Sequence, residues 1–284
     1  MPAMSPRRHE PEGSERIPTL REPRYSQSLE RGLGILGCFT PRRALLGLAE
    51  IVDELGMSRS TTHRYMVTLV ALGFLEQDAS RKYRLGLRVT DLGMSVLNST
   101  GLREPSRPYL QELRQRTSYT ANLSVLDGSE ILYVERARSF RCGQHRIDLN
   151  LRPGSRLPAH CTSMGKILLA NLAESERDEL IAVMTLKRHG PNTITSKKAL
   201  RAELDLVLDE GIAVNDEELA AGLVSIACPV RDGDQEVVAA VNLAAHASMI
   251  SSEEMINRLL PDLLAAADDI SARLGYRFEG GWRF

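Results

Sequence analysis

A chain of 284 residues with 43% hydrophobic content is long enough for two domains and apolar enough to bury real cores. The net charge of −1 excludes a uniformly basic nucleic-acid binder, but the charge is uneven: residues 1–100 carry 14 Lys and Arg against 11 Asp and Glu, and residues 101–284 carry 22 against 26. No apolar run is long enough to span a membrane and the first residues lack the apolar stretch of a secretory signal, so a cytoplasmic protein is expected.

Residues 1–22 mix Pro, Arg and Glu with little apolar content and read as a disordered tail. Ser26 or Ser28 then caps a helix over 29–39, stopped by Pro41, with Leu29, Leu33, Leu36 and Phe39 as its core stripe. Gly32, Gly34 and Gly37 in that helix match GxGxxG, with Asp53 about twenty residues on. A dinucleotide site needs a strand before the motif and a βαβ unit around it. Neither is present, so small residues for close helix packing are the better account and no cofactor is expected.

The next segment carries most of the functional information. Leu45, Leu48, Ile51, Val52 and Leu55 recur at helical spacing and predict a helix over 44–55. Gly56 offers the positive φ of a sharp turn, Met57 plugs the corner, and Ser58 is a natural N-cap for a second helix. That helix has one stripe of Thr62, Tyr65, Met66 and Leu69, and another of Arg59, Ser60, His63, Arg64 and Val67. No acid occurs between Glu54 and Glu76. A basic and polar face free of carboxylates suits the major groove of DNA, with Arg59, Ser60, Thr61, His63 and Arg64 as the expected contacts. Phe74–Glu76 and Lys82–Leu85 read as two short strands joined by a turn over 78–81, a wing tipped by Arg81 and Lys82. The competing reading is an ordinary helical hairpin with a solvated charged face. Turn, cap, polar face and wing together favour DNA binding.

Leu85, Val89, Leu92 and Val96 continue at helical spacing and predict a linker helix over 87–98, whose apolar stripe packs on a second subunit or on the chain's own domains. A helix follows over 106–117. Two strands flank Asp127-Gly128, a strong hairpin signal, and residues 147–151 read as a further strand. Helices are expected over 162–171, 175–184 and 197–210, then a hairpin turning at Arg231–Asp234, then a long helix over 252–274.

Strand parity in the last hairpin is informative. Val224, Ile226 and Cys228 share one face with Val237, Ala239, Val241 and Leu243, an apolar side for packing helices. The opposite face carries Ser225 and Ala227, with Val238, Ala240, Asn242 and Ala244. Two readings of this small-residue face stand. One is a small-molecule cup with Ser225 and Asn242 as polar handles. The other is a face covered by the domain's own chain, with both side chains hydrogen-bonded internally. Thr162 can cap the helix that follows, leaving the backbone amides of Ser163 and Met164 to receive a carboxylate.

The four cysteines, Cys38, Cys142, Cys161 and Cys228, form no CxxC pair. Cys142-x-x-His145 and His160-Cys161 lack the paired spacing of a zinc site, so reduced thiols and no metal are expected. No nucleophile elbow, paired carboxylates or phosphate loop stands out, and no catalytic residue is assigned.

Taken together, SRSTTHRYMVTL in the winged helix, the YRLG-LRVTDLG junction, LPAHCTSMGKILLA and NDEELAAGLVSIACPV resemble the IclR family of bacterial transcriptional regulators over residues 25–276. AHCTSMGK and NLSVLDGSEILYVERA are most similar to its branch controlling aromatic-acid catabolism, the protocatechuate and 4-hydroxybenzoate regulators. The resemblance implies an α+β protein: a winged helix-turn-helix over 23–86, a linker over 87–104, and over 105–284 a GAF-like α/β effector domain with a mainly antiparallel sheet. It also implies a dimer or dimer of dimers, a palindromic double-stranded DNA operator and a small organic-acid effector. Ser163, Met164, Asp216, Ser225, Asn242 and Ala244 match family effector positions. Some relatives have cysteine at the Ser225 position and serines at those of Asn242 and Ala244, which points away from small 2-oxo acids. The alternatives are a constitutive DNA-binding protein and, behind it, an enzyme with an accessory DNA-binding domain.

Overall fold

A computed structural model describes residues 25–40, 43–99, 101–139 and 151–277. The expected tail over 1–22, Pro41, Cys142, His145 and nearly all of the strand expected at 147–151 lie outside these residues. The chain divides into two compact units, residues 1–91 and 92–284.

The first unit runs α1 (Gln27–Gly37), α2 (Leu48–Leu55), α3 (Arg59–Ala71), β1 (Leu75–Gln77), β2 (Tyr83–Leu85) and the start of α4 (Arg88–Ser99). Its core is built from Ile35, Cys38, Phe39, Leu46, Ile51, Met66, Leu69, Leu75 and Tyr83. Ser26 caps α1 by accepting from the Leu29 amide. The expected stripe on α1 is corrected: Leu29 and Leu33 are 63% and 58% exposed, while Ile35 is fully buried beside Cys38 and Phe39. This short helix carries two overlapping apolar stripes, and periodicity alone cannot choose between them; packing in the three-helix core does.

The helix expected from residue 44 begins only at Leu48. Leu46 exchanges both backbone hydrogen bonds with Tyr83, at 2.9 and 2.7 Å, adding a bridge to the wing. Leu46 is therefore the buried residue and Leu45 is exposed. Glu50 Oε2 then accepts the Gly47 amide at 2.8 Å, which starts the helix. Gly56 takes φ +62 at the corner, and Ser58 caps α3 by accepting the Thr61 amide. Along α3, Thr62, Met66 and Leu69 are buried as the stripe predicts.

The second unit is a six-stranded, wholly antiparallel sheet. Its strands are β3 (Thr120–Asp127), β4 (Glu130–Ala137), β5 (Arg156–Pro158), β6 (Ala213–Asp216), β7 (Leu223–Arg231) and β8 (Val237–His246), in the order β5-β4-β3-β8-β7-β6. Both predicted hairpins form, and β3 pairs with β8 to join them. The edge strands β5 and β6 are three and four residues long, too short to show an alternation signal.

Helices α5 (Arg103–Thr117) and α9 (Ser252–Arg273) cover one face of the sheet, over Leu123, Val224, Ile226, Cys228, Val241 and Leu243. Helices α6 (Ser163–Ala170), α7 (Glu174–Val183) and α8 (Lys197–Glu210) build the other cluster, with Ile131, Tyr133, Ala227 and Ala240. The parity expected for Val237 and Val238 is reversed. A bulge pairs Val230 with Ala239 but Arg231 with Val237, so Val237 joins the α6 side and Val238 the α5–α9 side. No helix among the described residues is long and apolar enough to cross a membrane.

Gly165 in α6 lies against the 3-10 turn of residues 159–161, and a Cβ there would sit 2.2 Å from the Ala159 carbonyl oxygen. Gly93 in α4 has open space around it. Gly165→Ala should therefore destabilise the chain by several kcal/mol, whereas Gly93→Ala should be neutral or stabilising by up to about 1 kcal/mol. Urea denaturation of the two variants checks the contrast.

Candidate functional site

On α3, Arg59, Ser60, His63, Arg64 and Val67 are exposed on one face. None of Arg59, His63 and Arg64 forms an ion pair among the described residues, and Arg64 lies 6.0 Å from the Tyr65 ring centre. Thr61 is half-buried, and its Oγ1 accepts from Ser58 Oγ at 2.8 Å, so its hydroxyl belongs to the cap.

In the wing, Asp78 Oδ1 accepts the Ser80 hydroxyl at 2.7 Å and the Ser80 and Lys82 amides at 2.9 and 3.0 Å. The Ser80 hydroxyl first, then the Lys82 amide, hold its carboxyl below the usual aspartate range. The tight turn puts Arg81 in the left-handed region at φ +62 and leaves Arg81 and Lys82 exposed at the tip.

The second candidate lies where α6 meets the sheet. Thr162 caps α6 by accepting the Gly165 amide at 3.2 Å, and the amides of Ser163 and Met164 find no acceptor among the described residues. Ser163 Oγ is 2.7 Å from Ser225 Oγ, Asn242 Nδ2 donates to Ser163 Oγ at 3.4 Å, and Asn122 Nδ2 donates to Asn242 Oδ1 at 2.7 Å. Ser124 Oγ lies 3.2 Å from the sulfur of the buried Met164. Ser225 and Asn242 are thus tied into an internal network under α6. Ala244 pairs directly with Ser225 and is half-buried.

Asp216 does not join this group. The register sets it opposite Val224, on the sheet's other face, and it is exposed; Asn215 is the residue opposite Ser225 and is 1% exposed. Sequence reasoning also missed Asn122 and Ser124. Their signal was two polar residues alternating within a buried strand.

Lys166 was missed as well. It is 1% exposed, with Nζ 2.6 Å from both Glu203 Oε1 and Glu218 Oε1. Burial pushes the Glu218 carboxyl up, although Lys166 pulls it down. A lysine inside the apolar run SMGKILLA was the available clue.

His160, Cys161 and His189 bring their ligand-type atoms within 4.8 Å of one another. His160 Nε2 lies 3.1 Å from the Lys187 carbonyl oxygen, and Cys161 Sγ donates to the Pro158 carbonyl. Burial lowers the His160 pKa and pushes the Cys161 thiol up to about 12, so both are neutral near pH 7. His160 and Cys161 are thus tied to backbone carbonyls just before α6, while the exposed His189 ring lies 5.9 Å from that of His160. A cavity of about 500 Å³ opens between α5 and the end of β4, bordered by Arg107, Arg114, Glu135, Arg136 and Arg138. Its one carboxylate, Glu135, is held by Arg103 at 2.9 Å.

Comparison with known proteins covers both units of the chain. Residues 94–272 match the family described as bacterial transcriptional regulator IclR C-terminal, and residues 28–79 match the IclR helix-turn-helix domain. The chain belongs to the IclR family. This IclR protein is 35% identical over 253 residues to the Pca regulon regulatory protein of Pseudomonas putida, covering 89% of this chain and 86% of that one. It is 33% identical to the p-hydroxybenzoate hydroxylase transcriptional activator of Acinetobacter baylyi, covering 92% and 95%. Among solved structures, an IclR homolog from Microbacterium hydrocarbonoxydans complexed with 4-hydroxybenzoate matches with a TM-score of 0.75 at 28% identity, covering 87% and 98%. The IclR chain is accordingly a transcriptional regulator with a DNA-binding domain and an effector domain, in a family of regulators rather than enzymes.

Lys166→Met leaves two carboxylates without their shared cation and should destabilise the IclR chain by about 3–5 kcal/mol. Adding Glu218→Gln should recover part of the loss. Chemical denaturation measures both, and a loss below about 1 kcal/mol for the single variant would mean the triad is solvated.

Proposed function

We propose that this regulator reads a palindromic operator through α3, steadied by the wing, and that an aromatic acid or its catabolite bound beneath α6 controls it. The observation that carries the DNA reading is the exposed face of Arg59, Ser60, His63 and Arg64, which no carboxylate neutralises among the described residues. Cations left unpaired on a helix suit phosphates and base edges. The wing supplies Arg81 and Lys82, exposed charges that fit backbone contacts. The exposed apolar residues of α4, Leu92 and Val96, support self-association into a dimer or a dimer of dimers, which a two-fold operator requires.

For the effector, the amides of Ser163 and Met164 receive the carboxylate, and Ser225, Asn242 and Ala244 form the floor. Asn215 takes the place expected of Asp216, because it shares the Ser225 face. The aromatic class is supported by the Pca and p-hydroxybenzoate relatives and by the 4-hydroxybenzoate complex of the Microbacterium homolog.

Arg64→Ala should weaken operator binding by about 1–3 kcal/mol if the guanidinium meets a base edge. Replacing Arg81 and Lys82 together by Ala should weaken all sequences alike and make the logarithmic salt slope shallower by roughly two units. Fluorescence anisotropy across a salt series reads both; unchanged affinity in Arg59→Ala, His63→Ala and Arg64→Ala would overturn the assignment. Calorimetry of the full chain against aromatic and aliphatic acids tests the effector. Ser225→Ala should weaken the bound acid and leave acid-free DNA affinity intact. Acid and DNA should alter each other's affinity by the same factor.

A further inference from the structure

The sheet face beneath α6 holds three polar side chains with unused hydrogen-bonding capacity. Asn122 is buried; its Nδ2 donates to Asn242, and its Oδ1 receives no donor. Arg136 stands directly opposite Asn122 on β4. Opposed residues of an antiparallel pair project to the same side, with Cα atoms about 4.5–5.5 Å apart. The Nε of Arg136 is buried without an acceptor, and its guanidinium has no ion pair among the described residues. Tyr133 lies opposite Ser124 and packs in the α6 cluster, and its hydroxyl has no hydrogen-bond partner among the described residues.

A bulge brings these groups together. Tyr133 and Arg136 are three residues apart and would face opposite sides of a regular strand. The register shifts between Leu123 and Ser124, so that Leu123 pairs with Glu135 and Ser124 with Tyr133, and Val134 is the extra residue. Both Tyr133 and Arg136 therefore fall on the α6 side. Bulges re-aim side chains in this way beside binding sites. Burial holds the Arg136 pKa below the ordinary arginine value, with Tyr133 opposing and Arg138 adding to the effect, as expected for a cation without a counter-charge. Pairing of β4 with β5 covers only Glu130–Leu132, so Arg136 lies beyond the last β5 partner.

The two orphan atoms are of opposite kind. Arg136 only donates and Asn122 Oδ1 only accepts. A carboxylate accepts only and would leave Asn122 unsatisfied. An ammonium donates only and is repelled by the guanidinium. A hydroxyl accepts from one and donates to the other. We propose that Arg136 and Asn122, flanked by Tyr133, bind a hydroxyl substituent of the effector, so that the regulator selects a hydroxylated acid over its deoxy counterpart. This rests on reading the face beneath α6 as the effector pocket, and it adds the residues that recognise the end of the ligand away from the carboxylate.

Calorimetry of the full-length protein with 4-hydroxybenzoate, benzoate and 4-methoxybenzoate tests the proposal. The hydroxylated acid should bind about 10–100-fold more tightly than benzoate, because its loss strands two buried polar groups. The methoxy acid accepts but cannot donate, and should gain little over benzoate. In Arg136→Met and in Asn122→Ala the preference should fall to within about threefold. Arg136→Lys keeps a donor and should retain part of the preference. Without ligand, Arg136→Met should hold or raise the Tm, since it removes a desolvated and unpaired charge; a structural arginine would lower it. Equal binding of benzoate and 4-hydroxybenzoate by the wild-type chain, or a preference that survives Arg136→Met, overturns this assignment and leaves the effector pocket standing. Binding of none of the three acids removes the aromatic reading and this one with it.

Discussion

The second unit is organised around an eight-residue helix with no exposed residue. All of α6 is buried, including a lysine. A buried ammonium is tolerated only with charge partners, and Lys166 has two, one on α8 and one in the loop after β6. Gly165 lets the helix seat against the 3-10 turn before it. Gly165 and Lys166 are adjacent, so close backbone approach and the charge triad fix the helix at one place near its start. In the first turn, Ser163 and Met164 meet the sheet at Ser225 and Ser124.

That first turn sits on a polar floor within an otherwise apolar interior. Ser163, Ser225, Asn242 and Asn122 form one chain of side-chain hydrogen bonds that crosses α6, β7, β8 and β3. A buried polar network is stabilising only when its members are satisfied, and this one ends on an acceptor with no donor. A ligand that donates to this acceptor would complete the network, and a ligand that favours one form of the protein over another is what moves an equilibrium.

The DNA-reading unit works by the opposite logic. The side chains proposed to meet DNA are exposed, and Arg59, His63 and Arg64 form no ion pair among the described residues. Ser58 and Asp78 spend their capacity on backbone amides and neighbouring hydroxyls, which sets the start of α3 and the tip of the wing. The boundary between the two units falls inside α4, so one continuous helix carries the chain from DNA reader to effector domain.

Local chemistry made much of this legible without coordinates. The Gly56 turn, the Ser58 cap, the α3 stripes, the wing and both hairpins of the sheet follow from rules acting over a few residues, and they hold. The choices that required tertiary structure are those in which two local solutions compete or the partner is distant in sequence. Ile35 rather than Leu33 faces the core because three helices meet there. Leu46 leaves the helix because Tyr83, thirty-seven residues on, offers it a strand partner. Bulges in β4 and at the β7–β8 turn shift parity by one, which no alternation pattern reveals. Asn215, not Asp216, stands opposite Ser225 because register, not residue type, decides which residues meet across the strands. The Lys166 triad and the opposition of Arg136 to Asn122 exist only once β3, β4, α6 and α8 are assembled, since charge and hydrogen-bond complementarity depend on distance in space.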